Sequence, residues 1–292
     1  MVKISVIVPY KNEARLIAEC IESLEHQSLP RESYEIIMVD NNSSDESLRI
    51  VKEYTDIISL QEERKGPYAC RNTALARAQG AIIAFTDADC RVDRDWLENI
   101  SASIEAGNDV VLGKRSFPRE SSLAMRCIAN YENVRIQYIF DEQLRECWYA
   151  YTNNMACRAA LFERHGHFNI DVRTGDTEFL HRIINKDPSI KVVFVQNVVV
   201  CHLEMLRMPK WVRKQFYYAY YNYLVLSTHP YRVLTFIERL RILMRTLKKH
   251  HALYEIILLP PCLFVGNCTY RAGLFTRELI IMVQKLLGRS TT

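Results

Sequence analysis

The sequence predicts an α/β fold, a mostly parallel sheet flanked by helices, with a mainly helical C-terminal extension. Three observations lead there. Short apolar runs alternate with helical periodicities, each run ends in a polar loop, and from Pro209 onward the chain reads as mainly helical. Strands that follow one another in this way pair in parallel through crossover helices, which gathers the polar loops along one edge of the sheet.

The first strand is expected at residues 4–8, Ile-Ser-Val-Ile-Val, ended by Pro9-Tyr10-Lys11-Asn12. Asn12 can cap the next helix, in which Ile17, Ile21 and Leu24 recur at i, i+4 and i+7. Residues 35–39 repeat the pattern, and Ser43 and Glu46 then have capping-box spacing ahead of Leu48, Val51 and Tyr54. A third strand is read at 57–60, a third helix at 67–79 with Gly80 as its stop, and a fourth strand at 81–85. Beyond a further strand at 109–113, helices are expected at 121–139, 156–164 and 177–185, and a long strand at 190–201. The apolar run 252–265 is too short to span a bilayer, and Pro260-Pro261 is expected to break it.

A hydrophobic share of 49% with 25% charged residues suits a folded chain and excludes a disordered one. Because Met1-Val2-Lys3 runs directly into a strand, no signal peptide is expected. Nine cysteines without CxxC pairs argue against a disulfide framework and a zinc site, and point to reduced cytosolic thiols. Net charge is divided: residues 203–292 hold 14 Lys and Arg against 4 Asp and Glu, whereas residues 1–202 hold 24 against 30. A basic tail on an acidic body suggests an anionic surface as the tail's partner.

The chain has neither GxGxxG nor GxxxxGK[ST], so neither a dinucleotide fold nor a P-loop is supported. Instead Asp87 and Asp89 follow the fourth strand, at the sheet edge where open α/β sheets bind ligands. Two acids one residue apart repel each other unless a cation or hydrogen-bond donors lie between them. A hard divalent ion with phosphate oxygens completing its shell fits such a pair.

Taken in order, Ser5 to Glu13, Val39-Asp40-Asn41-Asn42-Ser43-Ser44-Asp45, Lys65-Gly66 with Ala69-Cys70-Arg71-Asn72, and Asp87-Ala88-Asp89 resemble the family 2 glycosyltransferases. The resemblance covers roughly residues 3–202 and implies a GT-A fold, a nucleotide-sugar donor and inversion at the anomeric carbon. It implies a catalytic domain over 1–205, with a nucleotide-binding half at 1–115 and an acceptor-binding half at 116–205, ahead of the tail at 206–292. By position, Pro9, Tyr10, Asn12, Glu13 and Asp40 resemble the base and ribose contacts, while Lys65 and Arg71 resemble the basic positions near the diphosphate. Asp40 suits uracil or guanine equally, which leaves UDP-, GDP- and dTDP-linked donors open. Asp87, Ala88 and Asp89 form the resemblance's metal–diphosphate motif, with Mg²⁺ or Mn²⁺ on the carboxylates and His202 as a further ligand.

Asn154, within Thr152-Asn153-Asn154-Met155, resembles a residue beside donor sugar or acceptor. Thr174-Gly175-Asp176-Thr177-Glu178 occupies the place of the family's Glu-Asp catalytic pair, with Gly175 where Glu is common. That departure leaves Asp176 as the base, with Glu178 two residues on as the alternative.

In the tail, Trp211, Phe216, Tyr217, Tyr218, Tyr220, Tyr221 and Tyr223 crowd a segment that also carries Lys210, Arg213 and Lys214. Aromatic and basic residues on one helix suit the headgroup level of an anionic membrane. The expected protein is therefore cytoplasmic and peripheral to the inner face of the membrane, glycosylating a lipid-linked or cell-surface glycan. Packing on the body or a homodimer interface is the competing use of the tail, and nucleic acid is not an expected partner. A polyprenyl-phosphate glycosyltransferase and a catalytically silent nucleotide-sugar-binding scaffold are the alternative functions.

Overall fold

A computed structural model describes residues 2–172, 174–228, 232–250 and 253–286. In chain order the elements are β1 (Ile4–Tyr10), α1 (Ile17–Glu25), β2 (Tyr34–Asp40), α2 (Ser47–Lys52), β3 (Ile57–Gln61), α3 (Pro67–Leu75), β4 (Ile82–Phe85), β5 (Cys90–Val92), α4 (Trp96–Glu105), β6 (Val110–Ser116), α5 (Leu123–Asp141), β7 (Met155–Arg158), α6 (Ala160–His165), α7 (Gly175–Lys186), β8 (Val192–His202), α8 (Met208–Thr228), α9 (Phe236–His250) and α10 (Leu253–Leu286). The chain divides into two compact units.

The first unit comprises Met1–Pro118, Tyr149–Asp171 and Gly175–Glu204. Its eight strands form one sheet in the order β3-β2-β1-β4-β7-β6-β8-β5. Strands β1 to β4 are mutually parallel, so the ends of β1, β2 and β4 point their loops to one edge. β7 enters antiparallel between β4 and β6, while β8 runs parallel to β6. All seven residues of β1 and of β2 are buried, as expected of central strands covered on both faces. Ile17, Ile21 and Leu24 pack α1 onto this core through the face their spacing predicts.

Several local expectations give way to tertiary contacts. Asn12 does not cap α1: it adopts a left-handed turn, φ 55°, and its Oδ1 accepts from the Ser44 amide at 2.7 Å. Nor does a Ser43–Glu46 box open α2, because Ser43 Oγ accepts from the Asn12 amide (3.0 Å) while Asp45 accepts from both the amide and hydroxyl of Ser47. Helix α3 ends at Leu75, short of Gly80. Gly80 is needed for close approach instead, since a Cβ there would lie 2.5 Å from the Ser5 amide nitrogen. Residues 156–158, read as the start of a helix, belong to β7, where Ala156 pairs with Ala84 on one side and Val111 on the other. Two long-range ladders outweigh a weak helical preference there.

The second unit comprises Arg119–Trp148, Val172–Thr174 and Met205–Thr292. Its core joins Cys127, Tyr131, Val134 and Tyr138 of α5 to Ile242 of α9 and Leu259 of α10. Ser122 caps α5 through the Met125 amide. A reciprocal Thr235–Glu238 capping box opens α9. Pro260 and Pro261 do not break α10, which continues through them for 34 residues. Close packing on α8 compensates for the lost hydrogen bonds: Gly266 lets the Trp211 ring reach within 2.2 Å of where a Cβ would sit. Among the described residues, no helix is long and apolar enough to cross a membrane.

Candidate active site

The loops that leave β1 and β2 are stitched to each other. Besides the Asn12 contacts, the Glu13 amide donates to Ser47 Oγ at 2.8 Å and the Ala14 amide to Asp45 Oδ2 at 3.1 Å. Pro9 and Tyr10 are buried at the end of β1, while Asn12 is exposed. Asp40, 2% exposed, accepts from the Ser43 amide with both carboxylate oxygens, at 3.1 and 3.3 Å. Burial, and then the Asp40 carboxylate, push the Tyr10 phenol well above its ordinary range. Asn41 shapes the next loop, donating to the carbonyls of Glu62 and Arg64 and accepting from the Gly66 amide, each at 2.8 Å. Lys65 is exposed on that loop.

Helix α3 follows and carries Arg71 inward. Its Nη2 donates to Asp87 Oδ1 at 2.5 Å, and its buried Nε has no hydrogen-bond partner. A buried guanidinium N–H without an acceptor is costly in a finished core and useful where an anionic ligand binds. Ala88 is buried.

Asp89 meets the far side of the sheet through β5. The antiparallel β5–β8 register sets Cys90 opposite His202, and the Leu203 amide donates to the Asp89 carbonyl at 2.9 Å. His202 Nδ1 consequently lies 3.5 Å from Asp89 Oδ2. Asp89, Cys90 and His202 each place one donor atom within 4.8 Å of the others. Burial, and then Asp89 and Asp87, push the Cys90 thiol well above its ordinary range. An oxygen and an imidazole nitrogen at this spacing fit Mn²⁺ or Mg²⁺ as part of a shell completed by other oxygens.

Asp176 stands in the first turn of α7 and is partly buried. Its Oδ2 accepts from the Thr152 amide at 3.1 Å and its Oδ1 from its neighbour Thr177 at 2.8 Å. The Tyr68 ring of α3 packs beside the preceding residue, Gly175, where a Cβ would lie 3.1 Å from a ring carbon. Burial dominates over these donors and over Arg71, and the pKa is raised. Glu178 is held differently: both its oxygens accept from Arg182, at 2.8 and 3.3 Å. Both Glu178 oxygens are thereby committed to a guanidinium.

Asn154 is turned away from these groups. It is fully buried, accepts from Trp96 Nε1 at 2.9 Å and donates to the carbonyls of Lys114 and Val198 at 2.8 and 3.0 Å. Its amide is therefore committed to the interior. The neighbouring Asn153 instead has a buried Oδ1 with no partner, and its carbonyl accepts from Thr86 Oγ1 at 3.2 Å. Both asparagines lie in the turn that leads into β7, and it is the path of that turn that separates them. Tyr68 and Thr152 carried no signal in the sequence, because their value lies in contacts across the sheet edge.

Known proteins resemble the chain in sequence and in fold. The sequence profile of glycosyl transferase family 2 matches residues 5–166, more than half of the 292-residue chain, and the chain belongs to that family. Glycosyltransferase AglE of Haloferax volcanii is 31% identical over 208 residues, which is 68% of this chain and 66% of that protein, just under two thirds of its length. A dolichyl N-acetyl-alpha-D-glucosaminyl phosphate 3-beta-D-2,3-diacetamido-2,3-dideoxy-beta-D-glucuronosyltransferase of Methanococcus voltae is 25% identical over 93% of this chain and 96% of its own. The mannosyltransferase PcManGT of Pyrobaculum calidifontis, solved with GDP-Man and Mn²⁺, superposes with a TM-score of 0.60 at 20% identity, covering 99% of this chain and 88% of that one. The α/β architecture is that of the GT-A class.

Proposed function

We propose that the chain is an inverting, metal-assisted glycosyltransferase that moves a sugar from a nucleoside-diphosphate donor to a hydroxyl of a lipid-linked glycan. The observation that carries this reading is the contact series from Asp87 through Arg71 to Tyr68, whose ring packs against Gly175 beside Asp176. It joins a buried cation with an open N–H to a partly buried carboxylate of raised pKa.

In this reading the β1 and β2 loops, with Pro9, Tyr10, Asn12, Glu13 and Asp40, receive the nucleoside. Arg71 and Lys65 meet the diphosphate, and Asp87 holds the Arg71 guanidinium toward it. Asp89 and His202 would hold the divalent ion, with Asp87 near enough in sequence to join them. When bound, the ion supplies Lewis-acid neutralisation of charge on the leaving diphosphate. Asp176 takes the acceptor hydroxyl's proton as that oxygen bonds to the anomeric carbon and the bond to the diphosphate breaks. Positive character develops on the sugar ring in such displacements. Asn153, with an open buried oxygen, is better placed than Asn154 to touch a ligand hydroxyl.

The lipid-linked acceptor draws support from the Methanococcus relative, whose name places its acceptor on a dolichyl phosphate. We assign the tail unit to an anionic membrane surface. Helix α9 exposes Phe236, Ile237, Leu240 and Met244 and carries Arg241, Arg245, Lys248 and Lys249. The functional test is a panel of UDP-, GDP- and dTDP-linked sugars, with and without Mn²⁺, on the wild type and Asp89→Ala. One donor binding only with metal, and lost in the variant, supports the reading; binding of every donor irrespective of metal and of Asp89 contradicts it.

A further inference from the structure

Helix α10 presents two unlike faces. On the inner one Leu259 is fully buried, and a Cβ on Gly266 or Gly273 would strike the Trp211 ring or the Phe216 carbonyl oxygen of α8. On the outer one Ile257, Phe264, Arg271 and Glu278 recur every seven residues, and all four are exposed. Pro261, Cys268, Phe275 and Met282 make a second exposed row, each four residues on from a member of the first. Steps of four and three in alternation are the spacing of a coiled-coil seam, here sustained over about 37 Å of helix. Phe264 is 69% exposed and Phe275 64%. With Val265 and Leu279 alongside, the apolar side chains of this face present about 700 Å² per chain, so a pair of such faces would cover roughly 1,400 Å², enough for a stable interface.

The two charges lie within this seam, and their order distinguishes the possible occupants. An anionic leaflet, which suits the four cations beside the α9 stripe, would repel Glu278. A second α10 lying parallel would set Arg271 against Arg271 and Glu278 against Glu278. Lying antiparallel, with the two-fold axis between the two positions, it sets Arg271 against Glu278 twice, since symmetry repeats each contact of such an interface. We propose that the outer face of α10 is the interface of a homodimer in which two copies of this helix pack antiparallel, Arg271 of each copy facing Glu278 of the other. The apolar rows supply most of the affinity, while the charges fix the direction and register of the pair. The face belongs to the second unit, so this pairing is independent of the catalytic reading, and α9 keeps its own stripe for lipid.

Sedimentation velocity of the full chain, free of lipid and at low salt, tests this over a concentration series. The wild type should pass from monomer to dimer as concentration rises. Arg271→Glu and Glu278→Arg each weaken the dimer by about tenfold or more, because either substitution sets like charges face to face. Combined, they restore opposite charges and bring the dimer back to within about threefold of the wild type. Phe275→Asp abolishes it. All three positions are exposed, so the variants should melt as the wild type does. A wild type that remains monomeric overturns the inference, and so does a dimer that ignores the substitutions. A double reversal no tighter than either single change overturns it as well. If Phe275→Asp instead lowers partition onto phosphatidylglycerol vesicles while the lipid-free wild type stays monomeric, the seam faces lipid and the dimer is refuted.

Discussion

Arg71 and Asp87 form an ion pair at 2.5 Å in which the guanidinium is 3% exposed and the carboxylate 35% exposed. The asymmetry matters: Asp87 still reaches solvent, whereas Arg71 has no water to replace a lost partner. Arg71 therefore depends on Asp87, and its remaining buried N–H faces the site without an acceptor. Arg71→Lys keeps the charge but loses the planar fork. We expect nucleoside diphosphate affinity to fall by about 10–100-fold, roughly 1.4–2.8 kcal/mol, since charge-assisted bonds of this type are worth about that much. Calorimetric titration with UDP and GDP measures it, and equal affinity in the two proteins would remove Arg71 from the diphosphate.

The pairing of Asp87 with Arg71 also separates the roles of two acids that look equivalent in the motif. Asp89 has His202 at 3.5 Å, on the partner strand fixed by the β5–β8 register. Removing a direct ligand should weaken Mn²⁺ binding by more than the roughly 10–100-fold typical of an outer partner. We expect Asp89→Asn to exceed that range and Asp87→Asn to fall within it, as read by Mn²⁺ paramagnetic resonance in the presence of nucleoside diphosphate. The reverse order would reassign the ion to Asp87.

Asp176 and Glu178 differ by what holds them. For Asp176→Asn we expect a loss of about 10²–10⁴ in transfer rate, the usual size of a general-base contribution. Glu178→Gln weakens the pair with Arg182, which also donates to the His165 and His167 carbonyls. That change should cost roughly 1–2 kcal/mol of stability while retaining most of the rate. The raised pKa of Asp176 adds a pH signature. Its ionisation is harder in the folded than in the unfolded chain, where it titrates near about 4. Relative stability is therefore fully present below that value and lost as pH rises through the folded pKa. Melting curves should show Asp176→Asn gaining on the wild type as pH increases over this window; a difference independent of pH would mean the carboxylate is not desolvated.

Much of the fold could be read because the first half of the chain is locally consistent: β1, β2, β3 and β4 lie where apolar runs end in polar loops. The site was legible as residues but not as contacts. Nothing in the spacing of Asp89 and His202 reveals that a three-residue strand, β5, pairs them. Asn153 and Asn154 sit in the turn ahead of β7, a strand that depends on antiparallel partners far away in sequence. The caps expected of Asn12 and Ser43 failed because each residue's bonding went to the opposite loop, a competition settled only when β1 and β2 pair. Tyr68 was invisible for a related reason: its ring packs where a side chain on Gly175 would stand, over a hundred residues later.

On α9 the exposed residues Phe236, Ile237, Leu240 and Met244 recur one and two turns apart, while Ile242 and Thr246 are fully buried on the inward face. An apolar stripe of that size is unfavourable in water, and Arg241, Arg245, Lys248 and Lys249 surround it with positive charge. Basic residues near an anionic leaflet contribute about 1 kcal/mol each, and apolar side chains add to this as they enter the headgroup boundary. The full chain should therefore sediment with vesicles containing phosphatidylglycerol, and less as salt is raised. Leu240→Glu combined with Met244→Glu places two carboxylates in the stripe and should lower vesicle affinity by about tenfold or more, since each loses both apolar burial and charge attraction. Catalysis measured on a water-soluble acceptor should not follow that loss, because both positions lie in the tail unit. If wild type and variant partition alike, α9 is not the membrane face; if neither sediments at low salt, the tail's charge serves another partner.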